Sequence, residues 1–237
     1  MAKKRRTRVF RWLLLAIFGA AAALTLRQGW LPARYTPIPA VDLDNPNNWF
    51  VDWRLAELKY ERGLCRAVMI PPHVIARAVR DDPLKHGCGW INAVHITSAG
   101  GAHISIPRIT CEAGAALALW ITHDVQPLAQ QMFASRVVSI HHMGIYACRN
   151  IRGHKFWRKT RSQHATANAI DIASFTLANG TRISVEHGWK SKGKKGRFLH
   201  AIHKRACRYF RVAIGPDYNS AHSNHFHYDR GPLSRCK

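Results

Sequence analysis

Two short segments in the C-terminal half of the chain hold side chains that bind metal ions. The first contains His164 and Asp171, and the second contains His225 and His227. Asp171 lies inside the apolar run 168–173, where a carboxylate is costly to bury unless it is paired or bound to a metal. His225 and His227 are two residues apart, so in a strand both side chains project from one face. Two imidazoles and one carboxylate are ordinary ligands of a catalytic zinc ion.

A zinc ion held in this way performs hydrolysis. It lowers the pKa of a bound water toward neutrality, which supplies hydroxide to attack a carbonyl carbon. A base that does not bind the metal must then manage the proton, and a spare histidine beside the ligands suits that role. The chain has 15 histidines, so one His-x-His pair is not rare by chance. Isolated histidines are more often surface or core residues and are assigned no role: His73, His86, His95, His103 and His200.

The elements that must position these residues mix helices with strands. Helical spacing is present over residues 51–62, from a candidate N-cap at Thr110 toward Met132, and over 198–210. Residues 190–197 are predicted to be a basic loop. Since regular β-α-β alternation is missing, the sequence predicts an α+β domain with a small central antiparallel sheet flanked by helices. Strands are predicted at 92–98 and 102–106, 136–141, 170–173, within a hairpin over 176–185 about Asn179-Gly180, 212–214 and 225–228.

The N-terminus predicts a membrane segment. Residues 9–26 are largely apolar and follow a tail, residues 1–8, that is rich in Lys and Arg. Positive charge before an apolar segment keeps the N-terminus in the cytoplasm, so the rest of the chain is exported. We favour an uncleaved transmembrane anchor, with a cleaved signal as the alternative. The Pro- and Asn-containing residues 27–50 then form a linker, and residues 51–237 form the functional domain.

Composition indicates the class of partner and the compartment. The chain has 36 Lys and Arg against 13 Asp and Glu, a net charge of +23. Such a charge attracts polyanions (nucleic acid, anionic lipid headgroups or cell-wall polymers), although a solvated surface without a specific partner is equally compatible. The six cysteines are even in number, widely spaced and without a Cys-x-x-Cys pair, which favours disulfides in an exported domain over a structural zinc site. All pairings stay open among Cys65, Cys88, Cys111, Cys148, Cys207 and Cys236.

The spacing of the site residues resembles a known bacterial family. The pattern Ser162-x-His164, Ala169-x-Asp171 and, later, His225-x-His227 is similar to that of extensin-like C-terminal domain proteins. That family is similar to zinc D-alanyl-D-alanine peptidases and to penicillin-insensitive murein endopeptidases. The resemblance covers most of the chain from about residue 65 to residue 236. Its further matches are the stretch 146–150, the run from Gly215-Pro216 through Asn219 to His222, and the final residues 225–229.

The resemblance implies a D-Ala-D-Ala peptidase-like zinc fold and roles for individual residues. His164, Asp171 and His227 fall on the metal-ligand positions. His225 falls where the murein endopeptidases keep a catalytic histidine, with His222 as a second candidate. Arg149 would hold a substrate carboxylate bidentately, and Ser162 would brace the loop or touch substrate. The sequence departs from the family at Gln163, where an acid is usual, and at Ala167, which replaces a glycine and would be strained at positive φ.

Together these features predict a zinc-dependent peptidase acting on peptidoglycan peptides in the periplasm, either released there or anchored in the inner membrane. Its bond specificity, D,D- or L,D-type and endo- or carboxypeptidase, is left open, as is the oligomeric state. The alternative is a basic, non-catalytic peptidoglycan-binding module that retains the zinc pocket. A nucleic-acid-binding protein or nuclease is disfavoured, because the chain combines an export segment and cysteines predicted to form disulfides with no recognisable nucleic-acid motif.

Overall fold

A computed structural model describes residues 2–36, 39–45, 49–153 and 156–237 of the chain, and for residues 2–7 it describes the backbone alone. It begins with one long helix, α1 (Ala2–Gln28). Residues Arg8–Gln28 of α1 are long and apolar enough to cross a membrane, with a mean hydropathy of 2.0. The predicted apolar segment is therefore confirmed as a helix, and it continues two residues past residue 26.

The rest of the described chain mixes helices with a large sheet, which confirms the α+β class. The helices are α2 (Val51–Glu57), α3 (Arg62–Val68), α4 (Cys111–Trp120), α5 (Gln126–Phe133), α6 (Val185–Gly188) and α7 (Lys194–Ala206). The strands are β1 (Val74–Ala78), β2 (Asp82–Lys85), β3 (Cys88–Trp90), β4 (Ala93–Ala99), β5 (Ala102–Thr110), β6 (Val137–Gly144), β7 (Ala169–Leu177), β8 (Arg182–Ser184), β9 (Val212–Ile214), β10 (Phe226–Asp229) and β11 (Arg235–Cys236).

The sheet differs from the small antiparallel sheet that the sequence predicts. It has nine strands in the order β1-β4-β5-β6-β7-β10-β9-β11, with β8 paired to β7, while β2 and β3 form a separate pair. Two neighbouring pairs are parallel, β5 with β6 and β9 with β11. The first arises because the helical segment from α4 to α5 returns the chain to the end of the sheet where β5 began. The second arises because the C-terminal tail runs alongside β9.

Two of the predicted helices have different bounds. The segment 51–62 forms α2 and a turn, and it ends at the first residue of a second helix, α3. Helix α7 begins at Lys194, so the second half of the predicted loop 190–197 is helical, and it ends at Ala206. Thr110 does occupy the N-cap of α4, but its hydroxyl donates to Asn168 Oδ1 at 2.6 Å instead of capping the helix. That bond ties α4 to the loop that carries His164.

The core lies between the sheet and the helix pair α4–α5, which is linked by the π-helical turn Ile121–Val125. Every residue of α4 is buried. Trp120 contacts Phe175 and Tyr228 edge-on, and its indole N–H donates to Ile202 O at 2.9 Å. The segment that the sequence assigns to a linker also contributes core residues, because Val41 and Leu43 are buried in the same cluster. Residues 37–38 and 46–48 of that linker lie outside the described residues.

The six cysteines form three disulfides, Cys65–Cys111, Cys88–Cys148 and Cys207–Cys236, which confirms the prediction and supplies the pairing that the sequence leaves open. The second bond holds the chain immediately before Arg149. The third fixes the C-terminal strand against α7.

Candidate metal centre

The side chains predicted to bind a metal come from two paired strands and one short turn. Strands β7 and β10 are antiparallel neighbours, and their register places His227 directly opposite Asp171. His164 comes from the 3-10 turn Gln163–Thr166 that precedes β7. The three residues are brought together by tertiary structure, although 63 positions separate the first from the last.

Three ligand atoms converge on one point. His164 Nε2 lies 3.1 Å from Asp171 Oδ1 and 3.1 Å from His227 Nδ1, and His227 Nδ1 lies 2.9 Å from Asp171 Oδ1. In a tetrahedral zinc site with bonds of about 2.0–2.1 Å, neighbouring ligand atoms are about 3.3 Å apart. The triangle is therefore a few tenths of an ångström tighter than a zinc site and matches it in shape.

Each histidine has its second ring nitrogen occupied by an acceptor. His164 Nδ1 donates to Ile145 O at 2.8 Å, and His227 Nε2 donates to Asp229 Oδ2 at 3.0 Å. These bonds fix the tautomers and turn the lone pairs of His164 Nε2 and His227 Nδ1 toward Asp171. Two lone pairs and a carboxylate then face one another, an arrangement that needs a cation or a proton between them. The donor set fits a divalent metal, and Ile145 O and Asp229 orient the two histidine rings toward it.

Electrostatics at the centre favour a positive charge. Burial alone would raise the pKa of Asp171, but the close contacts with the rings of His164 and His227 outweigh it and hold that pKa well below its usual range. Burial would lower the pKa of His227, but its hydrogen bonds to the Asp171 and Asp229 carboxylates raise it to about 9. In the metal-free protein a proton on His227 therefore takes the place of a metal ion.

The raised pKa predicts a pH dependence for the metal-free protein. Its folded value, about 9, exceeds the ordinary 6.5, so the proton on His227 stabilises the fold fully below pH 6.5 and this contribution is lost as the pH rises through 9. Burial depresses the pKa values of His203, His222 and His225, so these residues titrate below this window. We expect the Tm of chelator-treated protein to fall between pH 6.5 and 9.

Thermal melts with and without added zinc measure this. A metal ion replaces the proton, so the zinc-loaded protein is expected to lose the slope over the same pH range. A Tm of the metal-free protein that is flat or rises between pH 6.5 and 9 would contradict the assigned charge of His227.

The turn that carries His164 is braced on several sides. Ser162 Oγ accepts from the backbone N–H of His164 at 3.3 Å, and Ser162 N donates to Arg149 O at 3.0 Å. Gln163 Oε1 accepts from Asn168 Nδ2 at 3.1 Å, which extends the bond between Thr110 and Asn168 into a chain. Gln163 thus stabilises the turn that carries His164 through its hydrogen bond with Asn168. Ser162 braces the loop and also borders the cleft described below.

Ala167 adopts the left-handed conformation that the sequence analysis associates with a glycine, with φ at +53°, and its methyl group is fully buried. Its backbone N–H still donates to His164 O at 3.1 Å. The ligand turn therefore forms with alanine at this position, and the strain is offset by packing of the methyl group.

A matched pair of substitutions tests this offset. Ala134, at the end of α5, has nearly the same φ, +50°, but is exposed. Ala134→Gly should raise the free energy of unfolding by about 0.5–1 kcal/mol, since it relieves strain and loses no buried group. Ala167→Gly should leave it nearly unchanged, because losing a buried methyl group costs about 0.8 kcal/mol. Urea denaturation measures both; equal stabilisation by the two changes would contradict packing of the Ala167 methyl.

Two further histidines stand beside the three ligands. His225 Nε2 lies 3.6 Å from Asp171 Oδ1, and its Nδ1 donates to Asn224 Oδ1 at 2.7 Å. His222 Nδ1 donates to Asn219 Oδ1 at 2.7 Å, and its ring centroid is 5.3 Å from that of His225. The predicted strand 225–228 begins one residue later, at Phe226, so His225 lies just before β10, although it and His227 both lie close to Asp171.

Burial keeps both of these histidines neutral. It lowers the pKa of His222 to about 4, with the nearby rings of His227 and His225 adding to the effect. It also lowers the pKa of His225, although the Asp171 carboxylate opposes the change. Each ring keeps an unprotonated Nε2 that can accept a proton.

The centre opens into a cleft of about 660 Å³. Asp171, His222, His225 and His227 all border it. Residues 154–155 lie outside the described residues. The remaining lining is rich in cations and includes two aromatic rings: Arg149, Arg152, Arg161, Arg235, Trp157 and Tyr218. A cationic cleft that leads to a candidate metal centre suits a substrate that carries carboxylates.

Sequence reasoning assigned no role to three residues that orient the site. Asp229 accepts from His227, Asn224 accepts from His225, and Asn219 accepts from His222. Asp229 had a usable signal, because it follows His227 by two residues and therefore lies on the same face of β10. The asparagines carried no such signal, since their hydrogen bonds depend on the conformation of an irregular loop.

Comparison with known proteins gives one family match. The family model described as "Extensin-like protein C-terminus" matches residues 63–237. The matched part contains the three ligand residues, His222, His225, Arg149, Ser162 and all six cysteines, and it excludes α1. No curated protein and no solved structure matches the chain.

Proposed function

The chain belongs to the extensin-like protein C-terminus family, and we propose that it is a zinc-dependent peptidase that hydrolyses amide bonds in the peptide part of peptidoglycan. The observation that carries the proposal is the triangle of His164 Nε2, Asp171 Oδ1 and His227 Nδ1, with edges of 2.9–3.1 Å, at the floor of a cationic cleft.

The residues around the triangle support hydrolysis rather than structural metal binding. Zinc, when bound, would activate a water and polarise a carbonyl oxygen. Among the described residues three protein ligands converge, and one side is left open to the cleft, as catalytic zinc sites require. His225 stays neutral next to Asp171 and is placed to accept the proton of the attacking water. His222 is a second candidate for the base, and its ring lies next to that of His225, with the two centroids 5.3 Å apart.

The cleft supports a substrate with free carboxylates. Arg149 borders it near His222 and His225, and its guanidinium would hold a carboxylate through two parallel hydrogen bonds. Arg152, Arg161 and Arg235 extend the positive charge. Peptidoglycan peptides carry carboxylates close to their amide bonds, so the charge that would repel a basic peptide attracts this one.

The compartment supports the same substrate. We propose that α1 holds the domain on the periplasmic side of the inner membrane, since the positive tail precedes the apolar span. Three disulfides are expected in an oxidising compartment and are rare in the cytoplasm.

Incubation of the purified full-length protein with cell-wall sacculi tests the proposal. Zinc-loaded protein is expected to release peptide fragments, identified by mass spectrometry, and a chelator is expected to stop the release. If no chelator-sensitive cleavage occurs with any type of cross-link, the enzyme proposal fails. If the protein then still sediments with sacculi, including the His227→Ala variant, the non-catalytic binding module replaces it.

A further inference from the structure

A second cavity lies beside the candidate metal centre and shares one residue, Asn224, with the site described above. Its volume is about 630 Å³, similar to that of the cleft. Strands β6, β7 and β8, helices α6 and α7 and one residue of the loop before β10 form its walls. Its lining residues are His141, Met143, Ala173, Ser174, Arg182, Ser184, Glu186, His187, Gly188, Lys195 and Asn224.

Strand register places this cavity next to the metal ligands. Ala173 follows Asp171 by two residues on β7, so both side chains project from the same face about 6.8 Å apart. Asp171 borders the cleft, whereas Ala173 borders the second cavity. On the neighbouring strand β6, Gly144 pairs with Asp171 and His141 pairs with Ser174. The surface that begins at Asp171 therefore extends across β6 to His141, which lines the second cavity.

Asn224 joins the two cavities on the opposite wall. It lines the second cavity, and its side-chain oxygen accepts the hydrogen bond from His225 Nδ1 at 2.7 Å. His225 in turn borders the cleft. The metal ligands and His225 therefore stand between two spaces of similar size, instead of at the closed end of one.

The second cavity is also positively charged. Its lining residues include two cations, Arg182 and Lys195, and one carboxylate, Glu186. His141 and His187 add polar ring nitrogens. A peptide that bears carboxylates therefore finds cations on both sides of the centre, with Arg149 in the cleft and Lys195 in the second cavity.

We infer that the cleft and the second cavity form one groove that binds peptide on both sides of the bond to be cut. This inference rests on the proposed peptidase function and names its substrate class. The substrate is a cross-linked pair of wall peptides, with one strand in each cavity, and the bond cut is an internal amide. A site for removal of a single terminal residue would need binding space on one side only.

The test compares two soluble substrates with the full-length, zinc-loaded protein. One is a cross-linked muropeptide dimer and the other is the corresponding uncross-linked peptide. We expect cleavage of the dimer into two halves, with little loss of a terminal residue from the single peptide. The double variant Arg182→Ala/Lys195→Ala should raise KM for the dimer about tenfold. The control Lys190→Ala/Lys204→Ala, which removes two exposed cations outside both cavities, should leave KM unchanged.

Release of a terminal residue alone would overturn the groove while leaving the peptidase proposal intact. If neither substrate is hydrolysed, the proposed function fails. The groove is then tested separately, by comparing the affinities of the protein for the dimer and for the single peptide. Tighter binding of the dimer than of the single peptide, lost in Arg182→Ala/Lys195→Ala, supports the groove, and equal binding of the two overturns it.

An independent observation concerns the junction between α1 and the domain. The last turn of α1 is docked on α2 and on the residue that precedes β9: the Arg27 guanidinium lies 3.8 Å from Asp52, and Arg27 O accepts from Arg211. Gly29 is buried against α2, where a Cβ atom would lie 2.1 Å from Ala56 O. The apolar helix therefore enters the domain without a flexible joint.

The register of α2 along α1 places aromatic residues level with the apolar span. Asp52 lies beside Arg27, and Ala56 lies beside Gly29, so the residues that precede Asp52 lie alongside the part of α1 before Arg27. Among those residues are Trp49 and Phe50, which are 80% and 56% exposed.

More aromatic residues follow the helix directly. Trp30 is 60% exposed and Tyr35 is 63% exposed, with the guanidinium of Arg34 4.8 Å above the Tyr35 ring. Exposed Trp and Tyr beside Arg, at the end of an apolar helix, are typical of the membrane–water interface. On a surface in contact with water alone, such a group of rings would be costly.

We propose that α1 is retained and that Trp30, Tyr35, Trp49 and Phe50 form a collar that seats the domain on the phospholipid headgroups. Arg27 also contacts Ser234, which borders the cleft. The collar therefore holds one rim of the cleft at the bilayer surface, and the site reaches wall peptides that lie close to the membrane.

Tryptophan emission of the full-length protein in lipid vesicles tests this seating without reference to activity. The vesicles contain phosphatidylcholine and phosphatidylglycerol brominated near the headgroup end of the acyl chains, which quenches nearby tryptophans. The chain has eight tryptophans. Trp30→Phe and Trp49→Phe should each lower the quenched part of the emission about as much as Trp12→Phe, which removes an indole from the apolar span itself. Trp90→Phe, within the domain, should leave it unchanged.

Quenching that depends on Trp12 alone would place the domain away from the bilayer and overturn the seating. Recovery from membranes of a mature chain that lacks α1 would overturn it too.

Discussion

The variant His227→Ala is expected to lose bound zinc and all hydrolysis of sacculi. His227 supplies one of three ligand atoms, so its removal leaves two, which do not hold zinc at the low free concentrations of a metal-buffered assay. It also leaves the carboxylates of Asp171 and Asp229 without the imidazole that each contacts, at 2.9 and 3.0 Å. We expect zinc affinity to fall about a thousandfold or more, and cleavage to fall to background.

Zinc content after dialysis against a metal buffer, measured together with cleavage, checks this result. The matched control is His103→Ala, which removes an exposed histidine from β5 and should retain full zinc and full cleavage. A second variant, Asp229→Asn, keeps every ligand and alters only the acceptor of His227 Nε2–H, so its affinity should fall about 10–100-fold. If His227→Ala binds zinc as the parent does, the assigned centre is wrong, even if cleavage is lost.

The locations of these residues were predictable from the sequence only where local rules apply. Asp171 stands out because a carboxylate is unusual in an apolar strand, and period-two geometry alone places His225 and His227 on one face. The pairing that sets Asp171 opposite His227 was not predictable, because the register between β7 and β10 depends on contacts between segments that are distant in sequence.

The errors in the predicted fold have the same origin. Local spacing indicates one helix over residues 51–62, but the domain needs a turn after Glu57 so that α3 can bring Cys65 to Cys111. Local alternation indicates strands but does not state their partners, so the parallel pairs β5–β6 and β9–β11 were missed. The cavity beside the metal centre is likewise formed by five elements and leaves no pattern in any one of them.

The variant His225→Gln is expected to separate metal binding from turnover. His225 Nε2 is 3.6 Å from Asp171 Oδ1, close to the centre but outside the triangle of shorter contacts. Glutamine keeps the size and polarity of the side chain but cannot accept a proton near neutral pH. We therefore expect kcat to fall about 10²–10⁴-fold, the range for loss of a general base, while zinc content stays at the level of the parent.

The variant His222→Gln provides the comparison that assigns the base. In the parent protein the pKa of His222 is lowered to about 4, which makes His222 a weaker proton acceptor than His225 at neutral pH. The kcat of His222→Gln should therefore fall by no more than about tenfold. If His222→Gln causes the larger loss, the base is His222, and His225 has an orienting role through Asn224. Loss of zinc from His225→Gln would instead make His225 a fourth ligand. That outcome would close the position that water needs and would favour the non-catalytic module, because a centre with four protein ligands is typical of structural zinc sites.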